Sequence, residues 1–123
     1  MKTGPFYLLS IMEWKAIKND STFYELLELS DKEKVLILKF SPDCMVSFIM
    51  KMILQREWNQ AMMNIKTYLV DVIDHKDISD KISAEFGVEH QSPQVLIVKN
   101  GKCIHVKSHG HITIKDLAQF ANK

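Results

Sequence analysis

The stretch VLILKFSPDCMVS, residues 35–47, joins an aliphatic run to a turn and then to a helical pattern. Its first six residues are apolar apart from one lysine and include two β-branched side chains, which predicts a buried strand. From Met45 to about Met63 no Gly or Pro interrupts an apolar-rich segment, which predicts a long helix. Cys44 lies at the junction, where backbone N–H groups and the helix dipole favour a thiolate. The alternative is a buried thiol that acts only as a small apolar side chain.

The composition is that of an ordinary globular domain. The 123 residues are 46% hydrophobic and 25% charged, and a formal net charge of +1 gives no electrostatic case for nucleic acid or an anionic membrane. Two cysteines cannot form a disulfide framework and fit a reducing compartment. The first residues, MKTGPFYLLSIMEW, make a poor signal peptide and are too short to cross a bilayer. We therefore expect a cytoplasmic protein with an N-terminal extension, residues 1–12, and one domain, residues 13–123; the oligomeric state stays open.

Strands and helices are expected to alternate along the chain. Strands are predicted at residues 14–17, 35–40, 66–72, 95–98 and 103–107. Helices are predicted after the capping residues 19–22, over 45–63, over 77–86 and from Thr113. Asn100-Gly101 between two strand-like runs indicates a tight hairpin. The order β-α-β-α-β-α-β-β-α predicts a three-layer α/β fold, with a mixed central sheet and helices on both faces.

The helix after Cys44 is expected to pack against a sheet rather than lie in water, because its first half is apolar on most sides. Its apolar residues form two stripes, which are Val46, Ile49, Met50 and Ile53, and Met45, Phe48 and Met52. A helix that is apolar on most sides is typical of a buried position.

The topology brings distant residues to one edge of the sheet. Cys44 follows the carboxyl end of its strand, the edge at which open α/β sheets bind ligands. The strand after Pro93 starts at that same edge, and its hairpin partner returns residues 108–111 to it. Cys103, just beyond the hairpin turn, is left roughly 20 Å away at a rise of about 3.3 Å per residue. A Cys44–Cys103 disulfide is therefore not expected, since bridged Cα atoms lie within about 7 Å.

Three motifs together resemble a known family. They are Cys44-Met45-Val46-Ser47, Gln91-Ser92-Pro93-Gln94 and the segment SHGHIT at residues 108–113. This arrangement is similar to the thioredoxin fold and, within it, to the monothiol bacilliredoxins, over roughly residues 13–122. The resemblance implies a cis proline at Pro93 that faces Cys44, with the Ser92 backbone free to pair with an extended substrate.

The resemblance also implies a chemistry. Cys44 would remove a low-molecular-weight thiol from S-thiolated proteins, with bacillithiol as co-substrate and no tightly bound cofactor. Ser47 matches the family's serine and would hydrogen-bond to the Cys44 thiolate. It could not resolve a mixed disulfide as a second cysteine would. Residues at the same edge would bind the substrate, namely Asp43, Met45, Gln91, Ser92, Pro93, His109 and His111.

Several alternatives remain open at this stage. The family usually has Thr and Pro where this chain has Asp43 and Met45, and a negative charge beside the sulfur opposes thiolate formation. These departures favour a binding module with weak or no turnover, and a glutathione-using protein is a further alternative. Ser47 can instead satisfy the first turn of its helix, and both histidines can be ordinary turn residues. A metal site is not expected, and Cys103 is interpreted as structural.

Overall fold

In a computed structural model the protein is described over residues 12–121. Its strands are β1 (Lys15–Ala16), β2 (Lys34–Phe40), β3 (Ile65–Asp71), β4 (Gln94–Lys99) and β5 (Lys102–Ser108). Its helices are α1 (Asp20–Leu29), α2 (Met45–Glu57), α3 (Lys76–Phe86) and α4 (Ile114–Ala118). The predicted order of elements is confirmed. The predicted extension, residues 1–12, lies outside the described residues except for Met12.

The five strands form one mixed sheet in the order β1-β3-β2-β4-β5. Strand β2 lies at its centre, parallel to β3 and antiparallel to β4, and β5 closes one edge antiparallel to β4. Six of the seven residues of β2 are buried, which explains its nearly continuous apolar run. The register pairs Lys39 with Gln94, so the carboxyl end of β2 and the start of β4 share an edge of the sheet. This arrangement confirms the predicted position of Pro93.

Helices cover both faces of the sheet. Alternate residues of β2 point to opposite sides, so that Val35 and Ile37 face α1 and α3, while Leu36 and Leu38 face α2 and α4. Complete burial of such a side chain stabilises the fold by roughly 1.5–3 kcal/mol. The three-layer α/β architecture expected from the sequence is therefore confirmed.

Helix α2 is shorter than predicted. It ends at Glu57 because the next residue, Trp58, adopts an extended conformation with ψ 134°. The Asn59 side chain then accepts a hydrogen bond from the Ala61 N–H and starts a separate 3-10 turn over Gln60–Met62. Trp58 is nearly buried, and no Gly or Pro marks this break. Tertiary packing and an asparagine cap end the helix instead.

Helix α2 packs on the sheet as expected, but through a narrower part of its surface than its apolar composition indicates. Only Ser47 and Leu54 are buried and Met50 is half-buried, which leaves one narrow stripe at spacings of three and four residues on the sheet. The remaining large apolar side chains are exposed, namely Met45, Val46, Phe48, Ile49, Met52 and Ile53. A single helix on one face of a sheet can bury only one such stripe. Despite this apolar surface, no helix within residues 12–121 is long and apolar enough to span a bilayer.

The hairpin between β4 and β5 is fastened to the end of α1. Asn100 and Gly101 both have positive φ angles, 54° and 72°, as the tight turn predicted from this pair requires. The Asn100 N–H donates to the Ser30 carbonyl at 2.7 Å, and the Gly101 N–H donates to the Ser30 hydroxyl at 2.9 Å. This end of the sheet lies opposite the edge that carries Cys44.

Candidate active site

Cys44 occupies the N-cap of α2. A turn after β2 leads to it, closed by a hydrogen bond from the Cys44 N–H to the Ser41 carbonyl at 3.0 Å. The Cys44 carbonyl accepts from the Phe48 N–H at 3.0 Å and so begins the helical hydrogen-bond pattern. The side chain is half-buried and not disulfide-bonded. A solvent-accessible thiol therefore stands where a helix N-terminus presents its free N–H groups.

The surrounding backbone favours the thiolate of Cys44. The thiol makes no capping hydrogen bond of ordinary geometry, but the N–H groups of Ser47 and then Val46 are directed at the sulfur and lower its pKa. Burial opposes this change, and the Ser47 hydroxyl adds a smaller lowering. The pKa is thus lowered although Asp43, the adjacent residue, is acidic. Helix N-termini activate cysteines in this way, since the thiolate is the nucleophilic form.

Ser47 connects α2 to the opposite side of the site. Its side chain is fully buried, and its Oγ lies 3.3 Å from the Ser92 Oγ. Two hydroxyls can share one hydrogen bond with either oxygen as donor. The serine three positions after Cys44 thus contacts the segment that carries Pro93, in addition to facing the thiol.

The segment around Ser92 and Pro93 forms the second side of the site. The peptide bond between these residues is cis, and Pro93 is buried. The Pro93 carbonyl accepts a hydrogen bond from the His109 N–H at 2.9 Å, which ties the segment to the end of β5. Gln91 and Ser92 are half-buried. The motifs at residues 91–94 and 108–113 are thereby joined at the edge where Cys44 lies.

The remaining predicted site residues lie at the surface. His109 and His111 belong to a 3-10 turn, and His109 has a positive φ of 55°. Both imidazoles are exposed, and the bond to Pro93 comes from the backbone of His109. Asp43 is exposed, and Met45 has the highest exposure among the large apolar residues, 70%. Among the predicted residues, Ser47 and Pro93 are therefore buried, whereas Asp43, Met45, His109 and His111 are exposed.

Sequence reasoning missed a buried charge close to this edge. Lys39 is fully buried, and its Nζ donates to the Ser83 Oγ at 2.7 Å and contacts the His90 Nδ1 at 3.2 Å. Burial lowers the pKa of Lys39 to about 8, while the carboxylate of Asp80 acts in the opposite direction. The signal was present in the sequence, because a lysine interrupts an otherwise aliphatic strand.

Cys103 lies near the opposite end of the sheet, as predicted. It pairs with Val98 on β4, and Val98 in turn pairs with Val35 near the start of β2. Burial raises the pKa of its thiol, and its Sγ donates to the His105 carbonyl at 3.2 Å. The His105 ring is 2.8 Å from the Asp116 carboxylate. Within residues 12–121, no group of three or more His, Cys, Asp or Glu side chains could hold a metal ion.

A mixed sheet flanked by helices, with a thiol at the start of α2 opposite Ser92-Pro93, defines a redox thiol protein of the thioredoxin fold. The comparison with known families is more specific. The model of the family described as monothiol bacilliredoxin BrxC matches residues 15–117, and the chain belongs to this family. Membership implies a low-molecular-weight thiol as partner. The family and fold predicted from the three motifs are therefore confirmed.

Solved structures support the same fold. One protein, provisionally described as an oxidoreductase with a thioredoxin fold, is 24% identical with a TM-score of 0.71, and the match covers 95% of this chain and 98% of that one. Thioredoxin from Malassezia sympodialis is 16% identical with a TM-score of 0.71, over 89% of this chain and 92% of that one. Thioredoxin from Trypanosoma brucei brucei is 14% identical with a TM-score of 0.69, over 87% and 86% of the two chains. At these identities the likeness establishes the fold alone.

Proposed function

We propose that this protein is a monothiol oxidoreductase that removes a low-molecular-weight thiol, bacillithiol, from mixed disulfides on proteins. The observation that carries the proposal is the Cys44 thiol, which is half-buried at a helix N-terminus with its pKa lowered by backbone N–H groups. Cys103, at the other end of the sheet, cannot supply a second sulfur. The acting unit is residues 13–123, with 1–12 as an extension, in a reducing cytoplasm that keeps both thiols reduced.

The reaction proceeds by two thiol–disulfide exchanges. The Cys44 thiolate attacks the small-thiol sulfur of the mixed disulfide, a new S–S bond forms, and the protein substrate leaves as its thiolate. A second molecule of the small thiol, as thiolate, then attacks the disulfide on Cys44. This step releases the symmetrical disulfide of the small thiol and regenerates the Cys44 thiolate. The two exchanges together convert one mixed disulfide and one free small thiol into the free protein thiol and one symmetrical disulfide of the small thiol.

The surrounding residues have distinct roles in this proposal. Ser47 donates to the developing thiolate, and the backbone of Ser92, beside Pro93, pairs with an extended segment of the substrate protein. The other predicted binding residues contact the substrate around the thiol, namely Asp43, Met45, Gln91, His109 and His111.

The test compares two cysteine variants of the full chain on a bacillithiolated protein with bacillithiol in excess. Cys44→Ser is expected to abolish release of the small thiol, whereas Cys103→Ser is the matched control and should retain wild-type turnover. Mass spectrometry of the wild type quenched during turnover should find the small thiol on Cys44. Undiminished release by Cys44→Ser would refute the proposal.

A parallel assay uses the same substrate protein carrying glutathione in place of bacillithiol. Bacillithiol specificity predicts the higher kcat/KM with the bacillithiolated form. A preference for the glutathionylated form would favour a glutaredoxin-like activity. Absence of turnover with both, despite reaction of Cys44 with alkylating reagents, would favour a binding module.

A further inference from the structure

Lys39 is buried in a part of the sheet where a charged group is costly. It shares the face of β2 that carries Val35 and Ile37 and that packs on α1 and α3. Lysine is rarely fully buried, and its ammonium must find hydrogen-bond partners when water is removed. The partners here are Ser83 on α3, at 2.7 Å, and His90, at 3.2 Å.

His90 belongs to the loop between α3 and β4, two residues before Ser92. Its Nδ1 is also 3.3 Å from the Ser79 Oγ. An ammonium can only donate, so the contact with Lys39 requires a neutral His90 with the proton on Nε2. His90 is largely exposed, and the partial burial of its ring and then the charge of Lys39 lower its pKa, which favours this neutral form. The side chain of Lys39, on the central strand, thus contacts this loop through His90.

The same loop is fastened to Lys39 at its other end. The backbone of Lys39 pairs with Gln94, the first residue of β4. The Gln94 Nε2 donates to the Glu89 carbonyl at 2.9 Å. Between these fixed points lies Ser92, whose hydroxyl meets Ser47 across the site at 3.3 Å. His90 and Gln94, which both contact Lys39, therefore lie on either side of Ser92 along the chain.

We propose that Lys39 is a positioning residue, which acts through His90 to hold the Ser92-Pro93 segment opposite Cys44. Lys39 contacts neither the thiol nor the substrate in this role. Its effect on turnover rests on the proposed function, whereas its effect on the loop does not. Because the N–H groups that lower the pKa of Cys44 belong to α2, loss of Lys39 should impair substrate binding and leave the nucleophile intact.

The test uses single substitutions in the full chain. Lys39→Met keeps the length of the side chain and removes the donor; His90→Leu removes the acceptor, and His90→Gln retains one. The KM for a thiolated peptide should rise about tenfold in Lys39→Met and in His90→Leu. His90→Gln should stay close to wild type. The control is Lys102→Met, an exposed lysine at the hairpin turn, which should change nothing.

Two further readouts separate positioning from a general loss of structure. The kcat value and the rate of Cys44 alkylation by iodoacetamide should stay within about twofold of wild type in Lys39→Met. The double variant Lys39→Met/His90→Leu should be no worse than either single variant, because both break one interaction. Additive effects, or an equal loss of alkylation rate, would overturn the proposal.

The pH profile gives a third readout. The pKa of His90 is lowered from the ordinary value of 6.5, so its ring takes up a proton only at a pH below that value. A protonated Nδ1 would face the Lys39 ammonium, and the KM of the wild type should therefore rise in acid. The charges that bear on His90 are Lys39 on β2 and Asp80 and Lys76 on α3; Asp80 alone favours protonation. His90→Gln should remove this rise, whereas a merely structural role would leave it in place.

Hydrogen exchange tests the loop without any turnover. Amides of residues 88–92 should exchange faster in Lys39→Met and His90→Leu than in the wild type, with α2 unchanged. If no thiolated substrate is turned over, the proposed function fails while this measurement still decides the role of Lys39. Equal exchange in both variants and the wild type would refute it.

Discussion

Cys44 begins helix α2 at one end of the sheet, whereas Cys103 lies within β5 near the other end. Both side chains are of intermediate exposure, but burial is the main influence on the pKa of Cys103 and a lesser one on that of Cys44. Backbone N–H groups lower the pKa of Cys44. At Cys103, burial raises the pKa and outweighs the backbone hydrogen bond at His105, which lowers it. The comparison shows that the local backbone matters: the thiol that precedes a helix has a lowered pKa, and the thiol within a strand has a raised one.

The largest expected difference between the two thiols is in their rates of alkylation. At pH 7 the single-cysteine variant Cys103→Ser, which retains Cys44, should react with iodoacetamide at least about tenfold faster than Cys44→Ser. The thiolate fraction at neutral pH is greater when the pKa is lowered, which gives the physical reason. Rates measured by mass spectrometry from pH 5 to 10 should place the midpoint for Cys44 below that for Cys103. The reverse order would show that burial, not the backbone, governs both thiols.

A smaller effect is expected from removing one backbone donor. Val46→Pro deletes an N–H group that lowers the pKa of Cys44, at the second position of α2, where this N–H has no partner within the helix. The midpoint of the alkylation profile should move upward, because the thiolate loses one of the donors that stabilise it. Met45→Pro is the matched control, because its N–H is not among the groups that lower this pKa. Equal midpoints in the two proline variants would contradict the assignment of the donor.

The smallest effect concerns stability and Cys103. Its folded-state pKa is raised above the unfolded value near 9, so the stability it contributes is present below pH 9 and is lost as the pH rises toward the folded-state pKa. The free energy of unfolding of the wild type, relative to Cys103→Val, should therefore fall by less than about 1 kcal/mol between pH 8 and 10. Urea titrations at several pH values measure this difference. A relative gain in stability over the same range would contradict the direction of the shift.

Much of this comparison could be predicted from the sequence because it depends on topology. The aliphatic run before Cys44, the Asn100-Gly101 turn and the strand after Pro93 determine which residues share an edge of the sheet. Periodicity could not predict which stripe of α2 faces the sheet, since nearly every side of the helix is apolar. The end of α2 at Glu57 was missed because packing of Trp58, rather than Gly or Pro, ends it. Lys39 was missed because a charged residue reads as exposed unless its partners are known.

The attachment of the hairpin to Ser30 has a consequence for the order of folding. The Asn100-Gly101 turn joins neighbouring segments and can form early, whereas the bond from Gly101 to the Ser30 hydroxyl joins residues 71 positions apart. Closing so long a loop costs entropy, although that cost grows only slowly with loop length. Contacts of this kind slow folding in proteins built on distant pairings. The hydrogen bonds between the hairpin turn and Ser30 can thus form only when almost the whole chain is available. A nascent chain that ends before Gly101 cannot make both of them.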